Sequence, residues 1–205
     1  MDHGAIKIQV ILGSTRQNRF SEKPGFYVID ELKKKENVQV ELVDLRDWPL
    51  PFFDSPTSPS MLKGNYPHGI VKKWGTLIDS ADGYIMITPE YNHSFSAVLK
   101  NAIDWLFAEW MNKPVGFVGY GNVGGARAIE QLRQVVIELQ MLPIRNSIHI
   151  PSEAYLAMMK EQVPVNPEHF RPLREGRRGD RLETFFNELI NLAVTLKEMR
   201  QRIKG

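Results

Sequence analysis

The chain has 205 residues, no cysteine, and 26 Lys+Arg against 24 Asp+Glu for a net charge of +2. That length fits a single domain spanning residues 1–205 with its own core, and the missing thiols exclude a disulfide scaffold, a thiolate nucleophile and a Cys-ligated metal. Acids and bases interleave, so nothing drives the chain toward nucleic acid or an acidic membrane surface, and no apolar run approaches the roughly 20 residues that span a bilayer.

The first element is "IKIQVILG", an apolar run read as a strand; the preceding "MDHGA" lacks the features of a signal peptide, so the expectation is a cytoplasmic protein. The sequon Asn92-His93-Ser94 is accordingly read as unused. The loop "LGSTRQNRFSEKPG" follows, then a helix over residues 20–35, and then a second strand, "VQVELVDL". Residues 46–69 are rich in Pro, Ser and aromatics, a length of loop that usually carries function or a contact. A helix over 70–80 leads into the third strand, "GYIMITP", and "EYNHS" then opens a helix over 94–110. The fourth strand is "KPVGFVGYG", followed by a helix over 124–140, and the fifth is "LPIRNSIHIP". Residues 152–180 read as a second irregular region, with its basic "REGRRGD" as solvated loop, before a last helix over 180–200. Continuous apolar runs of this kind suit strands covered on both faces. Strand and helix in alternation predict an α/β, three-layer sandwich: a five-stranded parallel sheet with helices on both faces.

In such a sheet ligands bind beyond the carboxyl ends of the strands, so the loops after strands one, three and four are the informative ones. In the first, backbone amides with Ser14, Thr15 and Ser21 and the guanidiniums of Arg16 and Arg19 suit an anion at a helix N-terminus. No Gly-Lys-[Ser/Thr] closes it, so it is not a Walker A loop; its bland reading is a serine cap with solvent-facing arginines. In the third loop, Gly119, Gly121 and Gly124 have G-x-G-x-x-G spacing, but on the fourth strand and without the acid that holds a ribose. With Gly125 they are read as letting backbone approach a flat ligand, or else as a tight turn. In the middle loop Pro89 and Tyr91 offer flat apolar surface, and backbone near Glu90 and Asn92 offers hydrogen bonds to a ring edge. The alternative there is a helix capped by Asn92 or Ser94 with Tyr91 in the core, and His93 as a surface residue. A phosphate tail plus a planar heterocycle describes flavin mononucleotide.

These motifs resemble the NAD(P)H-dependent FMN reductases of flavodoxin-like fold, which include quinone, azo-dye and chromate reductases. "LGSTRQNRF" is similar to that family's phosphate loop, "TPEYNHSFSAVLKNAIDW" to its best-marked motif, and "GYGNVGGARA" to its glycine loop. The resemblance implies that Ser14, Arg16, Asn18, Arg19, Phe20 and Ser21 surround the FMN phosphate. It places Pro89, Glu90, Tyr91 and Asn92 along the isoalloxazine, with Gly119, Gly121, Gly124 and Gly125 at its far edge. It also implies hydride transfer from NADPH or NADH through the flavin N5 to a small electron acceptor such as a quinone, azo or nitro compound, in a ping-pong sequence with no dedicated acid or base. A homodimer or homotetramer is expected, and the helix carrying Trp105, Leu106, Phe107 and Trp110 reads as its contact face. A flavodoxin-like electron carrier and an FMN-binding redox-sensing module are the competing readings.

Overall fold

A computed structural model describes residues 4–161, 165–176 and 179–204. In chain order the elements are β1 (Ile6–Leu12), α1 (Glu22–Leu32), β2 (Val38–Asp44), α2 (Pro59–Leu62), α3 (Gly69–Asp79), β3 (Gly83–Pro89), α4 (Ala97–Asp104), β4 (Pro114–Tyr120), α5 (Ala126–Glu138), β5 (Leu142–Ile150), α6 (Ser152–Met159), α7 (Arg171–Arg174), the two-residue strands β6 (Glu175–Gly176) and β7 (Gly179–Asp180), and α8 (Arg181–Lys204). Five strands form one parallel sheet in the order β2-β1-β3-β4-β5.

Side-chain alternation along the strands divides the core into two layers. Ile11, Tyr84, Met86, Val115 and Phe117 face α3, α4 and α5, where Trp74, Ile103 and Leu132 complete one cluster. Ile8, Val10, Leu12, Ile85, Ile87 and Val118 face α1 and α8, packing on Val28, Phe185, Phe186 and Leu189. Every residue of β3 and β4 is buried. In the edge strands burial is incomplete, with Val43 alone buried in β2 and Ile144, Ile148 and Ile150 in β5, so the expectation of strands covered on both faces holds only for the centre of the sheet.

Two expectations about helices need correction. The helix placed over 94–110 is regular only from Ala97 to Asp104, and the chain then turns inward. Trp105, Leu106 and Trp110 are fully buried in their own chain, so their density serves the core rather than a partner. Their indoles find acceptors close by: Trp105 Nε1 donates to Pro51 O at 2.7 Å and Trp110 Nε1 to Ile103 O at 3.3 Å. Asn101 also pins the 46–69 loop to α4, accepting from the Phe53 amide at 3.0 Å and donating to Pro51 O at 2.9 Å. Within 152–180 the described residues form α6, α7 and the β6–β7 pair, more order than the composition suggests, while Arg177 and Arg178 of "REGRRGD" lie outside the described residues. Asp180 ends it by accepting from the amides of Leu182 and Glu183 at the start of α8. Among the described residues no helix is long and apolar enough to cross a membrane.

Candidate cofactor site

The strand order reverses direction between β1 and β3, and the loops after β1, β3 and β4 meet at that edge. The first leaves the sheet tightly. The Gly13 amide donates to Ile87 O at 2.8 Å, and a Cβ at Gly13 would stand 2.7 Å from that same oxygen. Ser96, which caps α4 by accepting from the Leu99 amide at 3.3 Å, also donates to Gly13 O. That cap is therefore neither Asn92 nor Ser94, and it ties α4 to the first loop.

Beyond Gly13 the predicted residues divide. Ser14 is buried, and its hydroxyl lies 3.2 Å from the Tyr91 hydroxyl. Arg16 is exposed, its guanidinium 5.9 Å from the Tyr91 ring centre. Asn18 is exposed with φ 50, the turn residue of the loop. Arg19 overturns its expected role as an anion donor: it points inward, donates to Ser14 O at 2.7 Å and to Asp44 Oδ1 at 2.6 Å, and pairs with Glu22 at 2.9 Å. Burial acts to raise the Asp44 pKa, but the bonds from Arg19 and from the Arg46 amide outweigh it and hold the carboxyl below its usual range. Phe20 is core, set edge-on to Tyr120 at 5.0 Å and to Tyr155 at 4.8 Å. Ser21 stands at the N-terminus of α1 without making a cap bond, and its buried hydroxyl has no partner among the described residues.

The middle loop is a two-residue turn. Tyr91 and Ser94 exchange backbone hydrogen bonds at 2.8 and 2.9 Å, with Asn92 at φ 50 and His93 at φ 68, both exposed. Pro89 ends β3 in register with Tyr120. Glu90 departs from the expectation that its backbone reads a ring edge, because its amide donates to Tyr120 O at 3.0 Å. Its carboxylate accepts from the Arg127 amide at 3.0 Å and from Arg127 Nε at 2.6 Å. Burial would raise the Glu90 pKa, and the Arg127 contacts more than reverse this.

The glycine loop packs mainly on itself. Gly124 and Gly125 have φ 67 and 72, and added Cβ atoms would lie 2.8 Å from His149 Cβ and 2.7 Å from Gly119 Cα. The tight-turn reading thus accounts for Gly119, Gly124 and Gly125. Gly121, with φ 144, faces Glu90, where a Cβ would be 3.3 Å from Glu90 Cβ.

Three groups escaped the sequence reading. The Tyr120 hydroxyl is buried without a partner among the described residues, although Ser21 and Ser14 are near enough to act on it. Burial pushes its pKa up, so the phenol stays protonated and remains a donor. Tyr155, from α6, stacks on Tyr120 at 6.1 Å with the rings 7° from parallel. Arg127 clamps Glu90. Tyr120 and Arg127 fall inside the "GYGNVGGARA" stretch, where the glycines alone drew the reading, and only the fold brings Tyr155 to them.

A fit to FMN can be judged on these atoms. Among the described residues the buried hydroxyls of Ser21 and Tyr120 lack partners, and no backbone carbonyl accepts from the amides of Ser14, Thr15 or Arg16. With Arg16 beside them, such donors match a phosphate monoester. The family model for NADPH-dependent FMN reductase matches residues 6–154. The chain belongs to that family. Among curated relatives, the NAD(P)H-dependent FMN reductase of Schizosaccharomyces pombe is 38% identical over 83% of this chain and 86% of its own. The NADPH azoreductase of Bacillus sp. (strain OY1-2) is 32% identical over 97% of each. Among solved structures, the flavoenzyme NAD(P)H:(acceptor) oxidoreductase FerB of Paracoccus denitrificans superposes with a TM-score of 0.66, covering 91% of this chain and 98% of that one at 22% identity, which supports the shared fold. Membership makes the chain an oxidoreductase that works with FMN and NAD(P)H.

Proposed function

We propose that Ser14, Ser21, Tyr120, Arg16 and the amides of residues 14–16 hold the FMN phosphate, and that the turn at Asn92 and His93 with Gly121 lies along the flavin ring. The observation that carries this reading is the pair of buried hydroxyls, Ser21 and Tyr120, with no partner among the described residues; leaving such groups unbonded costs about 1–3 kcal/mol each, so a ligand that bonds both gains affinity there. When bound, FMN supplies the group that takes a hydride from NAD(P)H and passes electrons to a small acceptor such as a quinone or azo compound. The chain supplies position. Arg19 and Asp44 brace the phosphate loop from below, Glu90 and Arg127 lock the ring loop to α5, and exposed Asn92 and His93 leave the outer face open to both substrates in turn.

Titration of apoprotein with FMN should give a bound-flavin spectrum at one equivalent per chain, and initial rates with NAD(P)H and a quinone should give parallel double-reciprocal lines. Failure to bind FMN at micromolar concentration would refute the site, and intersecting lines would refute a shared face. Self-association, proposed here from the family resemblance, finds apolar surface in exposed Phe52 and Met61 of the 46–69 loop; a monomeric mass by light scattering would rule it out. We also infer that residues 1–205 unfold as one unit, and biphasic urea unfolding would contradict this.

A further inference from the structure

We propose that the Tyr155 ring forms the outer wall of the phosphate pocket and thereby selects FMN over FAD, an inference that rests on the FMN reading above. The family match ends at residue 154, so Tyr155 lies just outside the segment that carries the shared motifs. It sits in the first turns of α6, immediately after β5 delivers the chain to the same sheet edge as the three loops. From there the half-buried ring lies parallel to Tyr120 at 6.1 Å and meets Phe20 edge-on at 4.8 Å. Phe20 adjoins Ser21 in the chain, so Tyr155 rests on both elements that present the two unpartnered hydroxyls. Arg16 stands near the same group of rings, its pKa raised first by the Tyr91 hydroxyl, with smaller contributions from Tyr155 and Tyr120. A basic side chain, three phenols and two serines thus converge on one region, with Tyr155 packed on Phe20 and Tyr120 at its side.

The chemical consequence follows from how the two flavins end. FMN stops at a terminal phosphate monoester, whereas FAD continues from that phosphate through a second one to adenosine. A ring fixed over the pocket leaves no path for the continuing chain but does not impede a monoester. Discrimination of this kind comes from a steric block against the wrong ligand rather than from a new bond to the right one.

Apoprotein of wild type, Tyr155→Ala and Tyr155→Phe, each checked for the wild-type circular dichroism spectrum, is titrated with FMN, FAD and riboflavin and followed by flavin fluorescence. Wild type should prefer FMN over FAD by at least about tenfold, and Tyr155→Ala should lower that ratio by about tenfold or more. Tyr155→Phe keeps the ring and should keep the ratio, while riboflavin affinity, set by the ring loop, should be the same in all three. If the alanine variant does not fold, Tyr155→Leu retains an apolar contact with Phe20 without the flat ring, and the same fall is expected. A wild-type ratio preserved in Tyr155→Ala or Tyr155→Leu overturns the proposal, as does a ratio lost equally in Tyr155→Phe. Wild-type protein that binds no FMN overturns the FMN reading itself.

Discussion

The Glu90 carboxylate accepts from the Arg127 amide at 3.0 Å and from Arg127 Nε at 2.6 Å, fastening the end of β3 to the first turn of α5. A carboxylate at that position also meets the positive end of the α5 dipole. Glu90→Gln keeps the shape and gives up the charge. Because Arg127 is 42% exposed, its side of the pair is partly screened, and the expected loss is about 1–2 kcal/mol. For a chain of this size that is a fall in melting temperature of about 2–6 °C. The two loops along the ring should also loosen, shifting the visible spectrum of bound FMN. An unchanged melting point together with an unchanged spectrum would show that the clamp does neither.

Arg16 and Arg19 stand three residues apart in the chain and should fail in different ways. Arg16 is exposed beside Tyr91, so Arg16→Ala should weaken FMN binding about ten- to a hundredfold, the effect of one lost charge-assisted contact, with no change in melting temperature. The Arg19 side chain is only 2% exposed and holds Asp44, itself 20% exposed. Removing one partner of a buried pair costs about 3–5 kcal/mol, and the partial exposure of Asp44 favours the lower end. Arg19→Ala should therefore melt about 6–12 °C lower. The assignment is refuted if Arg19→Ala loses affinity at unchanged stability, because the guanidinium would then belong to the phosphate site after all.

Lys113 makes stability depend on alkaline pH. Just ahead of β4 its ammonium is buried, donating to Ile78 O at 3.1 Å, Asp79 O at 2.9 Å and the Tyr84 hydroxyl at 3.1 Å. Burial is the largest effect and Arg200 adds to it, while Asp79, Asp82 and Glu109 oppose; together they push the Lys113 pKa down to about 8. Between about pH 8 and pH 10.4 the unfolded chain holds a proton that the folded protein has released, so stability rises with pH across that window. Tyr84 has the opposite sign. Burial raises its pKa well above the ordinary value, so above about pH 10 the unfolded tyrosine ionises while the folded one does not, and stability falls. Unfolding free energies from urea titrations should peak near pH 9–10, about 1–3 kcal/mol above the value at pH 7. The rise should vanish in Lys113→Met. Midpoints level from pH 7 to 9.5 in wild type would mean that Lys113 is not depressed.

What the sequence disclosed, and what it hid, follows from range. The run "GYIMITP" was legible as a strand because all seven of its residues are buried, and continuous apolar character is what that environment selects. Ser14 and Tyr91 could be placed in one site because strand-end loops of a parallel sheet converge. Arg19 could not be assigned from local pattern, since its role depends on Asp44 at the end of another strand. Trp105 and Trp110 misled for a related reason. Aromatic density is shared by interfaces and cores, and only the early end of α4 turns these indoles inward to Pro51 and Ile103. Tyr155 sits in a stretch with little periodic pattern, and its partner Phe20 lies near the opposite end of the chain.

The turn at Asn92 and His93 allows its geometry to be separated from its chemistry. Both residues have left-handed φ, 50 and 68, a conformation that costs most residues about 1–2 kcal/mol and that Asn tolerates better. Alanine at Asn92 would add strain while removing the amide, so a loss of activity could arise from either cause. Asn92→Gly removes only the side chain and leaves a residue that takes this φ freely. If the Asn92 amide touches the flavin ring, Asn92→Gly should keep the wild-type melting temperature within about 2 °C while shifting the spectrum of bound FMN and slowing its reduction by NAD(P)H. His93→Gly serves as the partner experiment. It relieves the same strain at the next residue and should stabilise the protein by about 0.5–1 kcal/mol once the greater freedom of glycine in the unfolded chain is allowed for. Its flavin spectrum should not change. A stabilised His93→Gly with normal flavin behaviour, beside a normally stable Asn92→Gly with altered flavin behaviour, would assign the turn's shape to both residues and its contact with the ring to Asn92 alone. If Asn92→Gly also leaves spectrum and reduction rate unchanged, the Asn92 side chain has no part in the site and the ring is held by backbone.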